Sequence, residues 1–295
     1  MSSLPSASSL SVKAHAKVNL FLSVGAARAD GYHDLVSLLH SVTLCDRLCL
    51  SRIEEEIEVE GLPPEVPPGE ELCLRAARAL RASAGARAGA RIVVEKAIPA
   101  RAGLGGGSAD AAATLLGLNR LWGLGLSLEA LAATAASLGS DVPFFLQGGT
   151  ALVGGRGEVV RPVACRRELD LVMAKPQGGI STGEAYARLD LSRRQPSPGP
   201  GPLLAAIAKG DRAGIARSLH NDFAQVVGEM NPDIMKLKEQ MLACGCLGAE
   251  VTGSGSAVFG IGAGPKEAEA ARAELARRWP WVVAVRSCHS GVEFT

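Results

Sequence analysis

The chain has 295 residues, 47% of them hydrophobic and 21% charged, with a formal net charge of +1. That describes a globular protein with a sizeable core, in two domains or one large one. Near-neutral charge, with no basic stripe interleaved with aromatics, argues against nucleic acid as a partner. No apolar run reaches the ~18 residues that span a bilayer, so no membrane partner is expected. Residues 1–11 are Ser-rich, without a positive start or an apolar core, and read as a disordered tail rather than a signal peptide. The seven cysteines (Cys45, Cys49, Cys73, Cys165, Cys244, Cys246 and Cys288) are odd in number and irregular in spacing. They suit neither a disulfide framework nor a zinc site, and most are expected to be small buried residues of a cytoplasmic protein.

From residue 12 the sequence alternates with period two to Val24. Val12, Ala14, Ala16, Val18, Leu20, Leu22 and Val24 share one face; Lys13, His15, Lys17, Asn19, Phe21 and Ser23 share the other. This predicts a half-buried strand whose second face meets either water or a cleft. Arg28-Ala-Asp-Gly-Tyr-His33 is a turn pivoting on Asp-Gly, and Ile53–Glu60 reads as an exposed strand. A proline-rich loop over Gly61–Gly69 leads to a helix over Glu70–Ala84 that Gly85 closes. The arginines over 75–91 sit on its solvated face.

Pro99-Ala-Arg-Ala-Gly-Leu-Gly-Gly-Gly-Ser-Ala-Asp110 lies between a β-branched run, Ile92–Lys96, and an Ala/Leu-rich helix. Gly103, Gly105, Gly106 and Gly107 let the backbone turn sharply and bring N–H groups close to a ligand. Ser108 is placed as the N-cap, so the positive end of the helix faces the loop. Loop and helix start together form an anion site suited to a phosphate chain. No Lys-Ser/Thr follows Gly107, and residue 108 is not glycine, so neither the P-loop nor the dinucleotide fingerprint applies.

Ser127 caps a second helix over Leu128–Leu138, and Asp141, two residues before Pro143, has the position of a cap or turn residue. Short strands follow near 150–163 and at Leu169–Ala174, then a small-residue loop over Lys175–Thr182. The clearest linker is Gln195–Pro202. Helices are expected over 203–209, 211–219, near 221–230 and over 233–243. Strands at Ala249–Thr252 and Ser256–Ile261 flank a second glycine turn, Thr252-Gly-Ser-Gly-Ser256. A helix over Pro265–Arg278 and a strand over Trp281–Val285 complete the chain. The order is that of a two-layer α+β protein rather than a doubly wound sheet. The boundary falls near residue 160, giving a nucleotide-binding part over 12–160 and a second over 161–295.

Together these motifs resemble the small-molecule kinases that include galactokinase, homoserine kinase, mevalonate kinase and phosphomevalonate kinase. Pro99-x-x-x-Gly-Leu-Gly-Gly-Gly-Ser-Ala is similar to that family's phosphate loop, and Thr252-Gly-Ser-Gly-Ser-Ala257 to its C-terminal glycine motif. Ala16–Leu22, Arg28–His33, Leu138–Phe145 and Asn221-Asp-Phe223 narrow the resemblance to members acting on a cytidine diphosphate-linked acceptor. It implies an N-terminal domain like domain 2 of ribosomal protein S5, a C-terminal ferredoxin-like domain, and an active site in the cleft between them. It implies ATP as co-substrate, Mg²⁺ as its counter-ion without a named protein ligand, and a monomer or homodimer. The implied reaction moves the γ-phosphoryl of ATP to the 2-hydroxyl of a methylerythritol unit in non-mevalonate isoprenoid precursor biosynthesis.

Transferred to this sequence, the resemblance makes Asp141 the general base and Lys17 its partner, chemistry that suits a hydroxyl shedding its proton as it attacks phosphorus. Pro99, Ala102, Gly103, Leu104, Gly105, Gly106, Gly107, Ser108 and Ala109 would hold ATP. Asn19, Tyr32, His33, Thr182 and Tyr186 would bind the acceptor, with Tyr32 stacking on cytosine. Asp110 would complement the helix dipole. Two departures stand out: Glu70-Glu-Leu72 where the family has Asp-Asn-Leu, and Arg101-Ala102 where it has small residues. The alternatives are a kinase of the same fold for homoserine, mevalonate or another small alcohol, and a non-catalytic nucleotide-binding protein.

Overall fold

The computed structural model describes residues 9–29, 31, 33–62, 71–190 and 197–295. In chain order its first part contains β1 (Ser9–Ala27), β2 (His33–Ile53), β3 (Ile57–Glu60), α1 (Leu72–Ala84), β4 (Gly89–Glu95), α2 (Gly106–Leu121), α3 (Leu128–Leu138), α4 (Val142–Gln147), β5 (Thr150–Gly154) and β6 (Val159–Pro162). The rest contains β7 (Asp170–Lys175), α5 (Thr182–Arg188), α6 (Gly201–Lys209), α7 (Arg212–Arg217), β8 (His220–Asn221), α8 (Ala224–Met230), α9 (Pro232–Ala243), β9 (Gly248–Val251), β10 (Val258–Ile261), α10 (Pro265–Leu275), β11 (Trp281–Arg286) and β12 (Val292–Phe294).

The first sheet runs β12-β1-β2-β4-β3, with β5 on β2, β6 on β5 and β8 on β1. Helices α1, α2, α3 and α4 cover one of its faces. Among them α2 is buried over most of its surface, with small residues such as Ala111, Ala112 and Ala113 allowing close packing, and Gly117 lies against Leu50 where a Cβ would come within 2.8 Å. The caps of α1 and α3 follow the sequence reading: Gly85 is left-handed at φ 60°, and Ser127 accepts from the Ala130 N–H. The second sheet, β11-β7-β10-β9, is antiparallel throughout. With helices between β7 and β9 and between β10 and β11, its four strands stand in the sequential order 4-1-3-2 of a ferredoxin-like layer.

Several expectations change. The first strand begins at Ser9, so Ser9–Ser11 belong to the sheet and not to the tail; residues 1–8 lie outside the described residues. Nor is this strand half-buried: His15, Lys17, Asn19 and Phe21 are all at or below 4% exposure. Breaks in pairing at His15/Lys17 and Asn19/Phe21 interrupt the strict alternation. The second part of the chain covers what remains, with β8 pairing in parallel beside Phe21 and Leu22 and the His220 ring 5.2 Å from that of Phe21.

The strand expected over Ile53–Glu60 is only Ile57–Glu60, because Ile53 ends β2. Gly201 and Pro202, expected in a linker, form the first turn of α6, where proline's fixed φ suits a helix start; Gln195 and Pro196 lie outside the described residues, as does most of the Gly61–Gly69 loop. Across the boundary expected near 160, β6 still pairs with β5, and from the far end of the chain Val292–Phe294 pairs with β1. Only Cys73 and Cys246 of the seven cysteines are buried.

His40 of β2 is buried at 2% exposure between Thr150 (Nδ1 to Oγ1, 2.8 Å) and Ser287 (Nε2 to Oγ, 2.7 Å). Burial pushes its pKa down to about 4, with the charge of His289 adding to the effect. The fold therefore holds it neutral, while the unfolded chain takes up a proton below about pH 6.5. Stability contributed by neutral His40 is full above that pH and is lost as pH falls toward 4, by about 3 kcal/mol. Urea unfolding at pH 7 and pH 4 checks this: most of that loss is absent in His40→Asn.

Candidate active site

A cavity of about 830 Å³ opens between the two parts of the chain, and the glycine loop forms one wall. The loop is tied on two sides. Leu104 O accepts from the Lys17 N–H (3.1 Å), and Ala102 O accepts from the Ala257 N–H (3.1 Å). Gly103 (φ 74°) lies so close to the second glycine turn that a Cβ would sit 2.0 Å from Thr252 O. Arg101 is left-handed at φ 50°, a conformation that costs an L-residue about 1 kcal/mol.

Helix α2 starts earlier than expected. Its cap is Gly105 (φ 74°), and Ser108 lies within the first turn and does not cap it. The first intrahelical N–H bond runs from Ala109 to Gly105 O (2.9 Å). The N–H groups of Gly106, Gly107 and Ser108 therefore have no place in the helical ladder and stand at its positive end. Ala109, expected among the ATP contacts, has its N–H engaged in the helix and its side chain fully buried. Pro99, Ala102, Gly103, Leu104, Gly105, Gly106, Gly107 and Ser108 line the cavity.

Lys17 and Asp141 reach the same wall. The Lys17 ammonium lies 2.6 Å from Asn19 Oδ1 and 3.6 Å from Asp141 Oδ2, with the lysine side chain at 4% exposure and the aspartate at 37%. Burial lowers the Lys17 pKa from its ordinary value, and the Asp141 charge opposes that shift. Asp141 sits at the cap position of α4, yet its side chain makes no capping bond and is left to face the cavity. Asn19 holds the arrangement together: Oδ1 also accepts from the Gly253 N–H (2.8 Å), and Nδ2 donates to Ser37 Oγ (2.8 Å). Its carbonyl oxygen is thus occupied by Lys17 and the glycine turn.

Of the other acceptor residues expected from the sequence, His33, Thr182 and Tyr186 line the same cavity. His33 Nδ1 is 3.1 Å from Gly25 O, and the His33 and Tyr186 rings are 5.6 Å apart. Tyr186 packs edge-on against Phe223 at 4.8 Å, and Thr182 Oγ1 is 2.9 Å from Ser254 Oγ. Burial, with some help from Asp141, raises the Tyr186 pKa and keeps its hydroxyl protonated. Tyr32 lies outside the described residues.

Two charged residues, Asp46 and Lys96, went unread in the sequence, and a third, Asp110, joins them. Lys96 Nζ bonds Asp46 Oδ2 (2.5 Å) and Asp110 Oδ2 (2.6 Å), while Asp46 Oδ1 accepts from the Ala97 and Ile98 N–H groups. This cluster anchors the entry to the glycine loop. Asp110 is 1% exposed, so it belongs to this network rather than merely complementing the dipole. Burial pushes its carboxyl up and Lys96 pulls it back. No local pattern joined the three, because they are 14 to 64 residues apart along the chain. Likewise Asn221-Asp-Phe223 is a clamp: Asn221 Nδ2 donates to Val251 O and Gly253 O, and Asp222 Oδ2 accepts from the Val24 N–H.

Residues 71–149 match the GHMP kinases N terminal domain and residues 203–280 the GHMP kinases C terminal domain. A relative from Symbiobacterium thermophilum named 4-diphosphocytidyl-2-C-methyl-D-erythritol kinase is 48% identical over 254 residues, covering 85% of this chain and 90% of that protein. Another of that name, from Moorella thermoacetica, is 45% identical and covers 94% and 99%. The chain belongs to the 4-diphosphocytidyl-2-C-methyl-D-erythritol kinase family of GHMP kinases. A crystal structure of 4-(cytidine 5'-diphospho)-2C-methyl-D-erythritol kinase matches with a TM-score of 0.81 at 35% identity, covering 94% of this chain and 99% of that one. Homoserine kinase from Cytophaga hutchinsonii matches with a TM-score of 0.79 at 19% identity, which shows the shared fold alone. Membership of this kinase family makes ATP the co-substrate. No helix among the described residues is long and apolar enough to cross a membrane.

Proposed function

We propose that the protein transfers the γ-phosphoryl of ATP to the 2-hydroxyl of 4-diphosphocytidyl-2-C-methyl-D-erythritol. The observation that carries this reading is the Lys17–Asp141 pair, 3.6 Å apart in the cavity that the glycine loop lines. The Gly106, Gly107 and Ser108 N–H groups and the dipole of α2 take the phosphates. Asp141 accepts the proton of the attacking hydroxyl as its oxygen bonds to phosphorus and the bond to the β-phosphate oxygen breaks, releasing ADP. Lys17, aimed by Asn19, lies beside the carboxylate and stabilises the oxygen as charge develops. Tyr32, His33, Thr182 and Tyr186 receive the cytidine end, where an aromatic ring offers a stacking surface and His33 an edge contact.

Among the described residues no three His, Cys, Asp or Glu side chains gather to cage a metal ion. Mg²⁺ would enter as the counter-ion of the nucleotide and would neutralise phosphate charge. A coupled ADP-release assay tests the reading. Turnover is expected with the cytidylylated substrate and not with methylerythritol phosphate, homoserine or mevalonate, none of which carries a base to stack. Turnover with one of those and none with the cytidylylated substrate would overturn it.

A further inference from the structure

Arg101 lines the cavity, yet the reaction described above gives it no task. Its side chain is exposed and has no carboxylate partner among the described residues. The residue is nevertheless held at both ends. Its carbonyl oxygen accepts from the Ser256 N–H and from Ser256 Oγ, each at 3.4 Å, which ties it to the second glycine turn. Its side-chain stem rests on Gly179, between β7 and α5, where an added Cβ would come within 2.7 Å of Arg101 Cβ and 3.6 Å of its Cδ. Glycine at 179 is what leaves room for the stem. The same loop continues into Thr182, whose hydroxyl pairs with that of Ser254 at the cavity wall. The arginine is thus carried at the seam where the glycine loop meets two loops of the second part of the chain.

Backbone and charge both point to an anionic ligand here. Among the described residues Arg101 is the one non-glycine residue with positive φ, at 50°. Glycine would relax that backbone, yet the position holds a long cation. Strain of this kind persists where the surroundings fix it, and it clusters at ligand clamps. As for charge, Lys17 stands beside Asp141, and Lys96 bridges Asp46 and Asp110, so both are already answered by protein carboxylates. The main-chain cradle offers N–H dipoles and no full charge. A guanidinium without a carboxylate, on the same loop as that cradle, has its planar fork open to phosphate oxygens.

We propose that Arg101 is a phosphate-binding residue: its guanidinium takes phosphate oxygens in the cavity and adds full positive charge to a cradle of neutral amides. The proposal rests on the phosphoryl transfer above, which brings two phosphate chains into one cavity, that of ATP and the diphosphate of the acceptor. Arg101 shares its loop with the N–H groups that receive the first, so the nucleotide is the expected source.

The test is calorimetric titration with the non-hydrolysable ATP analogue adenylyl imidodiphosphate, without acceptor, on the wild type, Arg101→Gln and Arg101→Lys. Steady-state ADP release with each substrate varied accompanies it. Glutamine keeps the stem on Gly179 and the same backbone cost while removing the charge. It is expected to weaken the analogue about tenfold, with kcat lowered less than about threefold and the thermal midpoint unchanged. Lysine restores part of the loss, because it returns the charge without the fork. Raising KCl from about 50 to 300 mM weakens binding less in the glutamine variant than in the wild type. A rise confined to the KM of the acceptor assigns the fork to that substrate's diphosphate, the same chemistry from the second source. Unchanged analogue affinity with unchanged KM for both substrates in Arg101→Gln overturns the proposal, as does a salt dependence that is the same with and without the charge. Because the titration needs no acceptor, its outcome stands whichever alcohol the coupled assay identifies, and failure of this contact is told apart from failure of the reaction.

Discussion

Asp141→Asn is expected to lower kcat by about 10²- to 10⁴-fold, the range a positioned general base contributes, while ATP affinity stays within about twofold. The amide keeps the size and hydrogen-bonding reach of the side chain but cannot accept the hydroxyl proton. It also removes the anion that supports the Lys17 ammonium against its own burial. In the wild type that burial places the Lys17 pKa below the ordinary lysine range, so the ammonium, and with it activity, is lost on the alkaline side earlier than for an exposed lysine. Without the Asp141 charge this limb moves to still lower pH. Steady-state ADP release across pH and calorimetric titration of ATP check both statements. A variant retaining more than about a tenth of kcat removes Asp141 from the role of base.

Gly103→Ala is expected to separate the two glycine turns. At φ 74° the backbone is one that L-residues rarely adopt, and the new Cβ would sit 2.0 Å from Thr252 O and 3.2 Å from Gly255 N. Both neighbours are backbone and neither can step aside as a side-chain tip would. The left-handed conformation alone costs about 1–2 kcal/mol, and separating the turns adds to it. Because Thr252 Oγ1 bonds both Gly103 O and Asn19 Oδ1, the displacement reaches Lys17 as well. Expected readouts are a fall of about 2 kcal/mol or more in stability and at least a tenfold rise in KM for ATP. Gly107→Ala is the control: it has an ordinary backbone, and its Cβ would meet only Leu72 Cδ1 at 3.4 Å. Equal damage from both substitutions would contradict the close approach as the cause.

The sequence disclosed those parts of the protein whose physics is local. Glycines between a β-branched run and an alanine-rich helix announced the tight loop and helix start that wall the cavity, because a missing Cβ and free helix N–H groups act within a few residues. The caps at Ser127 and Gly85 were legible for the same reason. Ser108 misled because a preferred cap residue was weighed above a glycine free to turn left-handed, and the backbone took Gly105. Lys17 and Asp141 attracted attention singly, but their ordinary readings, a surface lysine and a cap, were chemically sound.

Only the tertiary structure brought those two within 3.6 Å and occupied the oxygen of Asn19. The same holds for Lys96 with Asp46 and Asp110, and for the return of Val292–Phe294 to β1. Each of these includes a contact between residues dozens to hundreds of positions apart, and neither periodicity nor propensity extends that far. Burial of both faces of β1 is of the same kind: alternation shows that one face is apolar, but what covers the other depends on a layer folded from the far end of the chain.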